Sequence, residues 1–172
     1  MDKRMNALAF ALENEEKERE FYLAQARKTR NMAGKNMFKQ IADEEKEHYE
    51  MLKKLHAKWV EKKKWPATIP LKVQPSSAGS VLQGISGKKS ARITSTEDEL
   101  KAVRTAIDFE AHGVALYSKL AKQCTDAKEV AFFDMLAQVE RQHLLSLKDT
   151  EEFLVDPATW YQHMERSGLD GA

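Results

Sequence analysis

The chain repeats itself, and that restricts its possible folds more than any other property. Slid by 95 residues, segment 7–53 falls on 102–148 without a gap. The identical pairs are Ala7/Ala102, Ala11/Ala106, Glu15/Glu110, Tyr22/Tyr117, Ala26/Ala121, Phe38/Phe133, Ala42/Ala137, Glu45/Glu140, His48/His143, Leu52/Leu147 and Lys53/Lys148. That is 11 matches in 47 positions, where average composition would give roughly three. Small residues, large apolar residues and a few polar ones are kept, while the surrounding charged positions mostly differ. One structural unit therefore occurs twice.

The unit is a helical hairpin. Apolar residues recur at steps of three and four through about 2–28, 32–64, 96–123 and 127–155, the one-sided stripe of a bundle helix. The second helix carries Phe38, Ile41, Glu45, His48, Leu52, Leu55 and Trp59 on its stripe. The fourth carries Phe133, Leu136, Glu140, His143, Leu147 and later Leu154. Thr96 with Glu99, and Asp126 with Glu129, have capping-box spacing, and Asn31 stands where the second helix needs an N-cap. Seven Gly and four Pro in 172 residues do not supply the turns of a sandwich or barrel. The expected fold is all-α, a four-helix bundle of two like hairpins.

Between the hairpins, segment 66–94 holds Pro66, Pro70, Pro75, Gly79, Gly84 and Gly87 among serines, and reads as an irregular connection. Such length needs a reason. Two like hairpins related by a two-fold axis perpendicular to the bundle require parallel second and third helices, so the chain must travel back along the bundle. A helix of ~27 residues is about 40 Å long, and 29 extended residues reach up to about 95 Å. Beyond the bundle, Asp156-Pro157 starts and Gly168 stops a short helix that offers Trp160, Tyr161 and Met164 to an apolar surface. The expected division is a bundle at 1–155, with its crossover at 66–94, and a C-terminal helix and tail at 156–172.

Charge removes some functions. Twenty-eight Lys+Arg against 27 Asp+Glu leave a net charge of +1, which is no field for a nucleic-acid partner. The lysines of 53–64 read as a solvated helix end. A single cysteine, Cys124, excludes a disulfide framework and any cysteine-built metal site. No apolar run of ~18 residues occurs, and Met1-Asp2-Lys3-Arg4 leads into an amphipathic segment. A soluble, cytoplasmic protein without a membrane partner is expected.

Six ionisable residues interrupt the apolar stripes at equivalent places: Glu15, Glu45 and His48, then Glu110, Glu140 and His143. Glu45–His48 and Glu140–His143 are both Glu-x-x-His, whose i, i+3 spacing puts the two side chains on one face. Glu15 stands seven residues before Tyr22, and Glu110 seven before Tyr117, two helical turns apart on one face. Four buried carboxylates without a cation are very costly or must stay protonated. Two divalent metals supply the missing charge, and oxygen-rich ligands with one imidazole each suit iron or manganese, with zinc as a substitute. His56, His112 and His163 lack such support and read as surface or helix-end residues.

The paired Glu…Glu-x-x-His hairpins resemble the ferritin-like di-iron carboxylate family, and within it the rubrerythrin branch. The resemblance covers about 5–155. It implies a ferritin-like bundle with Glu45 and Glu140 as bridging carboxylates, and Glu15/His48 and Glu110/His143 as terminal ligands. Tyr22 and Tyr117 match tyrosines of the family that hydrogen-bond metal-bound carboxylates. Paired CxxC motifs of a rubredoxin domain are not present in the sequence, so the likeness is to the branch lacking that domain. The family's extra Glu, one turn after the third-helix ligand, is Gly113 here; Glu18 occupies the equivalent step of the first helix and is a further candidate ligand.

The implied function is a di-iron oxidoreductase of peroxidase type, active in oxidative stress, that reduces hydrogen peroxide or dioxygen with electrons from a rubredoxin-like donor. Ferroxidase action in iron detoxification or storage is the alternative, and a metal-stabilised helical interaction module without turnover is a third. A homodimer or larger homo-oligomer, open to exchange of hairpins between chains, is expected.

Overall fold

The computed structural model describes residues 3–62, 75–83 and 95–169, and regular structure among them is helical throughout. Among the described residues six helices follow in order: α1 Lys3–Lys28, α2 Met32–Lys62, α3 Ser80–Gln83, α4 Glu97–Gln123, α5 Ala127–Val155 and α6 Pro157–Leu169. Among the described residues, no helix is long and apolar enough to cross a membrane.

The helices begin where side chains can take up orphan N–H groups. Asn31 Oδ1 accepts from Ala33 and Gly34 at 2.9 and 3.3 Å. Asp126 caps α5 by accepting from the N–H groups of Lys128 and Glu129. At α4 both halves of the Thr96/Glu99 capping box form. Glu99 does more than the box requires: its second oxygen accepts from Arg30 and Asn31 N–H at 2.6 and 2.8 Å. These bonds tie the start of the second hairpin to the turn of the first, and they hold the Glu99 carboxyl below its usual range against the opposing effect of burial.

Packing is concentrated within the α1–α2 and α4–α5 hairpins. Two apolar clusters fill the bundle. One gathers Tyr22, Ala26, Phe38, Ala42, Ala106 and Leu147; the other gathers Tyr117, Ala121, Phe133, Ala137, Ala11 and Leu52. These are the repeat pairs, with the two members of each pair in opposite clusters. The internal symmetry thus exchanges the ends of the bundle, as a two-fold axis perpendicular to it requires, and the glutamate–histidine layer sits between the clusters.

Two features depart from the sequence reading. Among the described residues of the crossover, Ser80–Gln83 form a helical turn, α3, where irregular structure was expected. Ala78 and Leu82 are buried and belong to the first cluster, so two apolar residues pin this short stretch to the bundle. Pro66, Pro70, Gly84 and Gly87 lie outside the described residues. In α6, Trp160 is buried, stacks edge-on against Phe153 and donates its indole N–H to Asp149 at 2.6 Å. Tyr161 packs beside it. Met164 is exposed: Phe153 is already covered by the two rings one turn earlier.

Candidate metal centre

α1 contributes Glu15, Glu18 and Tyr22, α2 contributes Glu45 and His48, α4 contributes Glu110 and Tyr117, and α5 contributes Glu140 and His143. Each lies on the inward stripe of its helix, so helical periodicity alone aims it at the bundle axis. Glu15, Glu45, Glu110, Glu140 and His143 are fully buried, and His48 and Glu18 nearly so.

The ligand atoms form two overlapping groups. Glu15, Glu45, His48 and Glu140 each offer one atom within 4.8 Å of the others; so do Glu45, Glu110, Glu140 and His143. Glu45 and Glu140 belong to both. Glu45 reaches them with different oxygens: Oε2 is 2.9 Å from His48 Nδ1 and Oε1 is 3.0 Å from His143 Nδ1. The two imidazoles lie nearly parallel, 5.8 Å apart. Glu18 falls in neither group, although Glu45, Glu110 and Glu15 all act to raise its carboxyl, after burial.

Hydrogen bonds set which atoms face inward. Tyr22 donates to Oε1 of Glu110, and Tyr117 to Oε1 of Glu15, so each tyrosine clasps a carboxylate of the opposite hairpin. The second oxygen of each carboxylate, Oε2, is buried without a hydrogen-bond partner. Glu45 Oε1, both oxygens of Glu140, Glu18 Oε2 and His143 Nδ1 likewise make no hydrogen bond of ordinary geometry, although Glu45 Oε1 and His143 Nδ1 face each other as an ion pair at 3.0 Å. So many buried carboxylate oxygens without hydrogen bonds in one layer are uncommon in folded proteins and are compatible with bound cations.

Without metal the layer is electrostatically strained. Burial, with Glu45 adding repulsion, pushes the Glu15 carboxyl up to about 8. Glu18 and Glu140 are raised for the same two reasons. Burial opposes charge on Glu45 too, but His48 and His143 overcome it and hold that carboxyl low. The carboxylates in turn overcome the burial of the imidazoles and lift His48 to about 10, with His143 raised likewise. Four carboxylates and two imidazoles in two overlapping sets fit a pair of oxygen-preferring metal ions.

Sequence reasoning missed Glu44. His143 Nε2 lies 2.7 Å from Glu44 Oε2. The other Glu44 oxygen accepts from the backbone and hydroxyl of Ser77 and from Gln40. Burial is outweighed by these bonds, and the carboxyl drops to about 2. Within the acidic run 43–47, no sequence signal separates Glu44 from its solvated neighbours. Gly113 proved informative in its own way: a Cβ there would lie 3.2 Å from Glu140 Oε2, so the Glu140 carboxylate occupies the space that a side chain at 113 would need. Among the other histidines, His56 is half-buried, and His112 and His163 are exposed. Cys124 is the C-cap of α4, its N–H bonded to the Ala121 carbonyl.

Comparison with known proteins adds family information. Residues 6–78 match the family described as Rubrerythrin. A solved structure of a hypothetical protein from Pyrococcus furiosus is similar, at 26% identity, over 88% of this chain and 89% of that one, with a TM-score of 0.65. No curated protein matches significantly. Residues 6–78, which include the first hairpin, are thus similar to the rubrerythrin family, and the all-α bundle is consistent with a ferritin-like fold.

Proposed function

We propose that the chain is a non-haem di-iron oxidoreductase that reduces hydrogen peroxide, or dioxygen, with electrons from an external rubredoxin-like donor. The supporting observation is the convergence of orphaned, buried carboxylate and imidazole atoms from four helices on one layer. Glu15 and His48 hold one ion and Glu110 and His143 the other; Glu45 and Glu140, members of both groups, serve both. The domain assignment that accompanies this reading puts the bundle at 1–155 and an appended helix and tail at 156–172.

A pair of iron ions held by these residues would supply the two electrons that reduction of a peroxide O–O bond requires. The overall reaction consumes one peroxide, two electrons and two protons and yields two waters. The protein's part is positioning. Tyr22 and Tyr117 occupy one oxygen of Glu110 and Glu15 and leave the other turned inward. Glu44 accepts from His143 Nε2 and leaves Nδ1 for metal. Glu18, kept protonated by burial and by Glu45 and Glu110, holds a proton beside the layer. The apolar clusters on either side exclude bulk water from the reacting centre.

Stopped-flow mixing tests the proposal. Iron-loaded protein supplied with reduced donor is expected to consume many equivalents of peroxide. Glu45→Ala and Glu140→Ala are each expected to lose both ions, and Glu15→Ala or Glu110→Ala to spare one. Stoichiometric Fe(II) oxidation with retained ferric mineral would replace this reading by ferroxidase action. Tight zinc binding with no redox turnover would replace it by a structural metal module.

A further inference from the structure

We propose that Glu44 is a positioning residue that makes the two metal positions unequal, the ion beside Glu110 and His143 being bound more tightly than the ion beside Glu15 and His48. The inference rests on the dimetal reading above.

The six ligands in the two groups give no reason for inequality, and Glu18, whose repeat position is Gly113, belongs to neither group. The six are repeat partners, and the two tyrosine clasps are mirrored across the hairpins. The difference lies behind the histidines. His143 turns Nε2 to Glu44 at 2.7 Å and Nδ1 towards Glu45, Glu110 and Glu140 at 3.0, 3.5 and 3.9 Å. A carboxylate on the outer nitrogen fixes the tautomer, holds the ring plane and makes the inner nitrogen a stronger donor. Glu44 is itself immobilised: its other oxygen accepts from Ser77 N–H and Oγ, both at 2.9 Å, and from Gln40 Nε2 at 2.8 Å.

Those serine bonds come from the crossover. Next to Ser77, the Ser76 N–H donates to Gln142 Oε1 on α5 at 2.6 Å, so this short stretch straddles α2 and α5 next to His143. The connection occurs once per chain and cannot serve both halves of the repeat. Ninety-five residues beyond Glu44 the sequence has Val139, buried and unable to accept a hydrogen bond. The repeat therefore provides a carboxylate behind one imidazole and a hydrocarbon at the matching place. Loss of such an outer partner typically lowers metal affinity by about 10–100-fold.

Anaerobic calorimetric titration of the metal-free full chain with Fe(II) provides the test. Wild type is expected to take up two ions in two resolved steps. Glu44→Val should weaken one step by about 10–100-fold and leave the other unchanged. In a Glu15→Ala background the remaining ion should suffer that full loss. In a Glu110→Ala background Glu44→Val should change nothing further. A merely structural role would weaken both steps alike, and that result would overturn the proposal, as would identical steps in wild type with no effect of Glu44→Val. Should Glu44→Val not fold, Ser77→Ala is expected to weaken the same single step by a smaller factor, and no step-specific change there sinks the idea. Wild type that takes up fewer than two ions refutes the dimetal reading itself, a result visible before any variant is made.

Discussion

Replacing Gly113 by alanine should separate the stability of the bundle from its hold on metal. The new Cβ would stand 3.2 Å from Glu140 Oε2 and 3.3 Å from its Cδ and Cγ, so the carboxylate must give way by a few tenths of an ångström. Against that crowding stands the intrinsic gain of replacing a glycine within a helix, about 1 kcal/mol. In metal-free protein both Glu140 oxygens lack partners and the side chain is free to shift, so most of the gain should survive, a net change between about 0 and +1 kcal/mol. With metal bound the same side chain belongs to both ligand groups. Metal–ligand distances tolerate only about 0.2 Å, comparable with the forced displacement, and affinity should fall about tenfold, or ~1.4 kcal/mol. Thermal unfolding with chelator, and again with excess Fe(II) under nitrogen, measures both quantities. Gly113→Ala should melt at or above wild type in chelator, while its metal-induced gain falls short by roughly 3–5 °C for a chain of this size. An unchanged metal-induced gain would show that Glu140 does not hold the ions.

Metal loading should release protons, because Glu15, Glu140, His48 and His143 have all been raised. Near neutral pH about four should leave, and apparent affinity should rise steeply with pH, less steeply above about 8, where Glu15 titrates, and less again above about 10, where His48 does. Calorimetry in buffers of different ionisation enthalpy counts them, and one proton or none would contradict the electrostatics of the layer. Glu99→Ala should cost about 2–3 kcal/mol near neutral pH, since three N–H groups lose a charged acceptor. The carboxyl is lowered in the folded state, so its stabilisation is present above the unfolded-state pKa and lost as pH falls through the folded one. The gap between Glu99→Ala and wild type in urea midpoints should therefore close in acid, and a gap constant with pH would rule out the charged bonds as its cause. Tyr22→Phe and Tyr117→Phe each orphan a buried carboxylate oxygen and should destabilise by about 1–3 kcal/mol. Equal denaturant midpoints for wild type and both variants would mean that the clasps carry no net energy.

Much of this arrangement is legible in the sequence because two independent periodicities coincide. The three-and-four stripe places Glu45 and His48 on the face that carries Phe38 and Leu52, and the repeat places Glu140 and His143 on the face that carries Phe133 and Leu147. Helix geometry does the rest. Glu44 escapes such reasoning because its partner, His143, lies 99 residues away. Whether a residue at the edge of the stripe meets that ring depends on how closely the hairpins approach and on where Ser77 lands. α3 escapes because four residues cannot display a period. The exposure of Met164 escapes for a related reason: the pattern gives the apolar side of α6 but not how much of α5 is left to cover.

The crossed clasps bear on how the molecule opens. Each tyrosine reaches over the seam between hairpins, Tyr22 to Glu110 and Tyr117 to Glu15, while the closest backbone approaches lie inside each hairpin and the apolar clusters at either end draw on both. The seam is thus fastened at its middle by polar bonds, and each hairpin is a unit able to part from the other while keeping its own backbone bonds. Sub-global opening should follow that line. The two halves would hinge apart like covers of a book, exposing the glutamates together, with the first and second helical hairpins retaining their protection against hydrogen exchange. A route of that kind would let ions enter a fully enclosed layer without unfolding any helix, and ions seated there would become the strongest fastening along the spine.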